Sequence, residues 1–219
     1  RAEPPNRELS TKKLAVALPS QEALIRFFTM PAIPKHEWET AVQFEARKYI
    51  PFKTETLVWH YTVLHPKATS RLEFIFAAVQ RSVFQRLQSA LEAAGVEATL
   101  MEPRSASLSR LVRRALPQHA SEFVCLVDVE EDMAHLVITR DGLPYLTREI
   151  SLAAEPSAPT VDARAQRLLS ELSVSLDFFI REYPAGHVSR VVLFGDDGLI
   201  GSWSMSMADQ LKMPVELGT

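Results

Sequence analysis

"QFEARKYIPF" (residues 43–52) reads as the last turns of a helix of mixed charge that closes on Tyr49-Ile50-Pro51-Phe52, an apolar tetrapeptide with no polar relief. The proline ring sets its own φ, so Pro51 fixes the direction from which Phe52 leaves the helix. Such an end has two uses. Ile50 and Phe52 can anchor the helix in a core, or Tyr49, Ile50, Pro51 and Phe52 can line a surface that receives another chain. Both readings stay open on these residues alone.

Outward from this stretch, "PKHEWETAVQFEARKY" (34–49) carries the helix, with Pro34 in its first turn and Trp38, Ala41, Val42, Glu45 and Tyr49 along one stripe. Before it, "KLAVALP" (13–19) and "ALIRFFTMP" (23–31) read as strands stopped by Pro19 and Pro31. After it come strands at 56–64 and 71–79, then an amphipathic helix at 82–95 with Phe84, Leu87, Leu91 and Ala94 on its buried face. A short strand "EATLM" and a helix "SASLSRLVRRAL" close the first half. The second half begins with three strands (122–129, 133–142, 143–151), the last two turning at Asp141-Gly142. A long helix (160–183) follows, with Val161, Ala165, Leu168, Leu172, Leu176, Phe179 and Ile180 in helical period. A strand (188–198), a helix (199–211) and a final strand "PVEL" end the sequence.

The bulk numbers exclude several classes. The 219 residues are 47% hydrophobic and 23% charged, enough apolar material for a sizeable core. A net charge of −3 advertises neither nucleic acid nor an anionic membrane. Apolar runs such as "FIFAAV" and "FVCLVDV" are too short to cross a bilayer. The sequence opens on polar "RAEPPNRELSTKK", starting from Arg1, and is expected to be a fragment with segments missing at its ends. The single cysteine, Cys125, sits in an apolar strand pattern and is expected in the core of a protein from a reducing compartment.

Chemistry-bearing motifs are sparse. The six histidines have no metal-ligand spacing, and no GxSxG, Walker A or GxGxxG pattern occurs. Two stretches could meet a phosphate: "LVDVEEDM", with Asp128 at a strand end, and "LFGDDG", where a helix starts after Gly195. The plainer reading is that Asp128, Asp196 and Asp197 cap turns and helices. Glu130, Glu131 and Asp132 would repel a polyphosphate unless a cation intervened.

In their order, these pieces resemble PilM, the actin-like cytoplasmic family of the type IV pilus inner-membrane platform, itself similar to the cell-division protein FtsA. The resemblance is carried by "VALPSQEALIRFFTMP", similar to the family's paired strands, and most specifically by "EWETAVQFEARKYIPF". "VDVEEDMAHLVITRDGLPYLTREI" is similar to its aspartate-led hairpin. It implies a mixed α/β (α+β) fold of the actin-like, FtsA/PilM two-lobed type, truncated at the N-terminus and also at the C-terminus. The first lobe would span 1–117, with a small inserted subdomain at about 32–100, and the second 118–219. The related actin-like region of the type II secretion platform is the nearest alternative.

Departures from the family pattern bear on nucleotide. Members that bind ATP carry an Asp-Ile-Gly loop that would precede this sequence. At the second phosphate loop Asp128 is kept, but Val129-Glu130-Glu131-Asp132 replaces the rest. At the adenosine-side turn Gly195 is kept, but Asp196-Asp197 follows. The resemblance therefore implies degraded loop positions at Asp128 and Gly195, and no cofactor unless the missing N-terminal segment restores an ATP site. It further implies a non-enzymatic scaffold, cytoplasmic and peripheral at the inner membrane. This scaffold would bind the N-terminal tail of a bitopic, PilN-like inner-membrane protein near Tyr49, Ile50, Pro51 and Phe52, and would link it to the assembly ATPase, with self-association possible. The alternatives are an ATP-binding conformational switch and a filament former.

Overall fold

Pro19 separates two strands that are consecutive in the chain yet enter different sheets. The Pro19 carbonyl accepts from the amides of Glu22 (3.0 Å) and Ala23 (3.1 Å), which makes a tight turn between β1 (Leu14–Leu18) and β2 (Ala23–Pro31). β1 pairs in parallel with β5 (Ala98–Pro103). β2 instead runs antiparallel to β4 (Arg71–Gln80), which also pairs with β3 (Leu57–Leu64), in the order β2-β4-β3. The two strands expected as a pair are therefore neighbours in sequence only. The computed structural model describes residues 14–48, 50, 53–64, 70–153, 161–184 and 186–218, with backbone alone at 161 and 162.

On β4, Leu72, Phe74, Phe76 and Ala78 alternate with Ile75 and Ala77, because successive strand side chains point to opposite faces. The first set packs under α1 (Trp38–Ala46), and the second joins the core of the neighbouring sheet. "FIFAAV" therefore lacks polar alternation because both faces are covered. On α1, Trp38, Val42 and Ala46 are buried one turn apart, and the Trp38 indole N–H donates to the Ile33 carbonyl at 3.0 Å. The helix is shorter than its sequence pattern, ending at Ala46 after a 3-10 turn at Lys35–Glu37.

α2 (Arg81–Ala93) buries only Val83, with Phe84 and Leu87 half-buried beside Leu18 and Val79. Leu91 and Ala94, expected on its inner face, lie past that small cluster, and Ala94 is exposed. α3 (Arg104–Ala115) is tied back to β5 through Glu102, a buried carboxylate that takes the Arg110 guanidinium and the Ser107 hydroxyl (2.6 Å). Burial pushes the Glu102 carboxyl up, but the Arg110 and Ser107 hydrogen bonds outweigh it and hold the group below the usual range.

The second half forms a five-stranded sheet from β6 (Phe123–Val129), β7 (Met133–Arg140), β8 (Leu143–Ser151), β9 (Val188–Phe194) and β10 (Val215–Leu217). Its order is β10-β9-β6-β7-β8, antiparallel from β6 to β8 and parallel from β6 to β10. Asp141 (φ 55°) and Gly142 (φ 75°) make the β7–β8 turn, both with the positive φ of a type I′ hairpin. Cys125, Val127 and Val129 of central β6 pack with α4 (Val161–Glu182) and α5 (Asp197–Leu211), while Val124 and Leu126 pack with Val112 of α3. On α4, Leu168, Leu172, Leu176 and Phe179 point inward, but Ile180, expected with them, is 52% exposed. One residue turns a helix by about 100°, so an inward Phe179 swings Ile180 out.

An aromatic joint links the two larger sheets. Phe27 of β2 stacks on Tyr145 of β8 at 5.0 Å and meets Tyr183 edge-on at 5.2 Å, while Phe123 meets Tyr145 and Phe179, each at 5.0 Å. Among the described residues no helix is long and apolar enough to cross a membrane.

Phe74 is fully buried, stacked on Phe28 (5.8 Å) and edge-on to Trp38 (6.2 Å), whereas Phe44 of α1 is 66% exposed. Phe74→Ala is expected to cost about 3–5 kcal/mol in urea denaturation. Phe44→Ala should stay within about 0.5 kcal/mol of the parent.

Candidate functional site

The nucleotide-loop positions come together at the ends of β6 and β9, and the chain's own groups satisfy them. Asp128 lies on β6 opposite His135, half-buried, and its carboxylate takes the Arg104 guanidinium. The same Arg104 nitrogen reaches Glu130 at 2.5 Å, and Glu130 also faces His135 Nε2 at 3.7 Å. Arg164 of α4 donates to the backbone carbonyls of Glu130 (3.1 Å) and Glu131. The cation that this acidic turn needs is thus supplied from within, by Arg104 at the start of α3. The Arg104 hydrogen bond leads in holding the Glu130 carboxyl below its usual range. Burial would lower Arg104, but its bonds to Asp128 and Glu130 prevail and raise it.

At the second position, Gly195 has φ 149°, and a Cβ there would stand 2.7 Å from the Val129 carbonyl oxygen. The close approach that requires glycine is made to the chain's own β6 end. Asp196 caps α5, its Oδ1 accepting from the Leu199 amide at 3.1 Å, and Asp197 occupies the first turn. Two carboxylates already complement that helix N-terminus, as the plainer sequence reading anticipated, and they leave it unsuited to a phosphate. Residues here do not fit a polyphosphate: two carboxylates and two glutamate carbonyls face arginines that are already engaged. Among the described residues no cluster of three or more His, Cys, Asp or Glu could hold a metal ion.

Ile50 is buried with Trp38, Val42 and Phe74, a core position beyond the end of α1. Tyr49, Pro51 and Phe52 lie outside the described residues. Cys125 is fully buried, and burial pushes its thiol up to about 12.

An open groove lies elsewhere. β2 and β8 are outer strands of their sheets and run beside one another, bridged by the Phe27–Tyr145 stack rather than by a hydrogen-bonded ladder. Between them and the C-terminal half of α4 is a groove of about 1130 Å³. Its apolar surface includes Phe27, Tyr145, Val174 and Phe178, the last two 50% and 43% exposed. Five arginines also line it, against two glutamates. The sequence carried one local signal of this site: Arg26 is the charged residue in a largely apolar strand, "ALIRFFTM". Arg104, directly after Pro103, gave none, because its partners lie 24 and 26 residues away.

The sequence model of the family described as type IV pilus assembly protein PilM matches residues 5–156. Among solved structures, the PilM–PilN type IV pilus biogenesis complex is similar at 20% identity and a TM-score of 0.70, over 93% of this chain and 68% of that one. The cytoplasmic domain of EpsL, an inner-membrane component of the type II secretion system of Vibrio cholerae, is similar at 15% identity and a TM-score of 0.53. That likeness spans 84% of this chain and 62% of the other. No curated protein matches the sequence.

Two variants probe the closed loops. A carboxyl depressed in the folded state contributes stability above its unfolded value, 4.5 for Glu130, and loses it as pH falls through the folded value. The melting-temperature gap between the parent and Arg104→Gln should therefore be full at pH 6–7 and narrow below about pH 4.5. A gap that stays constant with pH would remove the ion pair from the explanation. Gly195→Ala should cost about 2–4 kcal/mol in chemical denaturation, from a forced contact and a conformation that L side chains avoid.

Proposed function

The chain belongs to the type IV pilus assembly protein PilM family, and on that premise we propose that it is a non-enzymatic scaffold of a pilus or related secretion platform. It works in the cytoplasm at the inner membrane, where it receives the N-terminal tail of a bitopic, PilN-like membrane protein and links it to the assembly ATPase. Residues 1–117 and 118–219 act as its two lobes. One observation carries the reading. Arg104 bridges Asp128 and Glu130, so the turn that would face a metal–polyphosphate in an actin-like switch is already bridged by the protein's own cation. Binding there would first have to strip that arginine from both carboxylates, a cost of several kcal/mol for a partly buried pair.

The groove between β2 and β8 supports the adaptor role. Five consecutive residues, Ile25–Thr29, line it from β2, about 16 Å of extended chain. That is the span of a short tail rather than of a small metabolite. It offers a second candidate docking surface in addition to the one at Tyr49, Ile50, Pro51 and Phe52. Ile50 is buried in the core, and the groove offers the exposed apolar side chains of Val174 and Phe178 beside the β2 and β8 edges.

Two titrations test the proposal. Calorimetry with the cognate membrane protein's N-terminal tail is expected to show saturable binding at micromolar affinity, about 8 kcal/mol. Heating with excess Mg-ATP should leave the melting temperature unmoved, whereas a ligand at a hundred times its Kd would add about 2.7 kcal/mol. A melting shift with ATP and no heat with the tail would overturn the scaffold in favour of the switch.

A further inference from the structure

The charge of the β2–β8 groove runs against that of the chain. Overall there are 24 Lys and Arg against 27 Asp and Glu, yet the groove gathers Arg26, Arg71, Arg140, Arg148 and Arg181 against Glu73 and Glu182. Among the described residues internal carboxylates reach two of these arginines: Asp141 lies 3.7 Å from Arg140 and Glu171 lies 3.4 Å from Arg148. Among the described residues Arg26, Arg71 and Arg181 form no ion pair. Arg71 donates to the Thr29 hydroxyl at 2.6 Å, and Arg26 donates to its neighbour's carbonyl, Ile25, at 2.8 Å. Arg148 is shared between Ser175 (3.0 Å) and Glu171 (3.4 Å). Arg140 lies over the Phe123 ring at 4.5 Å and the Tyr145 ring at 5.5 Å, and its Nε makes no hydrogen bond, with the Asp141 carboxylate 3.7 Å away. A half-buried guanidinium without a counter-ion is costly, and burial alone lowers Arg26 from its ordinary value.

The groove continues into a smaller recess of about 230 Å³, and Arg26 and Arg148 line both. His135 also lines the recess. It is 7% exposed, and its Nδ1 has no hydrogen-bond partner, with Glu149 3.7 Å away. Cationic and unsatisfied polar groups thus converge from β2, β7 and β8 on one end of an aromatic-walled channel whose sides are two unladdered strand edges. An edge strand offers backbone N–H and C=O groups to an added strand, whose side chains then alternate between two faces.

We propose that this groove takes an extended, acidic peptide segment, laid along the β2 or β8 edge, with apolar side chains on Phe27, Tyr145 and Phe178 and carboxylates at Arg26 and Arg181. The inference rests on the groove being a docking site, and it specifies the chemistry of what docks.

The test uses the full chain and a fluorescein-labelled peptide of alternating glutamate and leucine, followed by anisotropy beside its glutamine–leucine counterpart. The glutamate peptide should bind at least about tenfold more tightly, and its advantage should shrink as salt rises from about 50 to about 300 mM. Arg26→Gln and Arg181→Gln should each weaken it about fivefold or more without lowering the melting temperature, while Arg113→Gln on the exposed side of α3 leaves it unchanged. Equal binding of both peptides, or arginine variants that bind like the parent, would overturn the proposal. So would sedimentation showing a concentration-dependent dimer that Arg26→Gln dissociates, since the occupant would then be a second copy. If the membrane partner's tail binds in calorimetry and the acidic probe does not, this inference fails and the scaffold stands. If only the acidic probe binds, the tail-docking role fails and the groove chemistry stands.

Discussion

Five aromatic rings hold the two larger sheets in register: Phe27 from the first, Phe123 and Tyr145 from the second, Phe179 and Tyr183 from the end of the long helix. Centroid spacings of 4.7–5.2 Å put these contacts in the range where stacked and edge-on pairs add stability beyond their burial. Because Phe27 reaches Tyr145 side chain to side chain, β2 and β8 come close without forming a ladder. A ladder would have merged the sheets and erased the groove. With no contact at all, the groove would have no fixed width. The joint therefore sets both the relation of the two halves and the geometry of the site between them.

Charge is disposed in two contrasting ways. At the β6–β7 turn the acidic residues meet arginines from α3 and α4, and the positions that a nucleotide-binding relative would leave open are closed by ion pairs within the chain. In the β2–β8 groove the excess is positive, and internal partners are few. A satisfied cluster contributes local order. One with an excess of one sign marks where an outside group can lower the energy.

What the sequence disclosed followed local period and turn chemistry. The apolar strand run at 71–79, the one-turn spacing of Leu168, Leu172 and Leu176, and the Asp141-Gly142 hairpin are each decided by residues a few positions apart. The E-A-x-x-Y-I-P-F pattern at the end of α1 pointed to the family, and the family description now matched covers residues 5–156. Long-range pairings could not be read in this way. Whether β1 joins β2 or β5 depends on a partner about 85 residues away, and the strand pattern of β1 suits either. The partner of Asp128 was hidden for the same reason. Ile180 was misplaced because the apolar stripe is narrower at the C-terminal end of α4, where Phe179 alone fills the space against Phe123 and Tyr183.

The burial of Cys125 gives the molecule a property separate from its partners. It is the sole thiol, at the centre of β6 with no exposed surface, and its ionisation is pushed up to about 12. At pH 8 the folded chain would hold about one thiolate in ten thousand, behind two layers of packed side chains. Covalent capture by a soluble alkylating reagent must therefore wait for the middle strand to open. The rate of modification becomes a clock for the most deeply cooperative event in the fold, written into the chain by one sulfur atom.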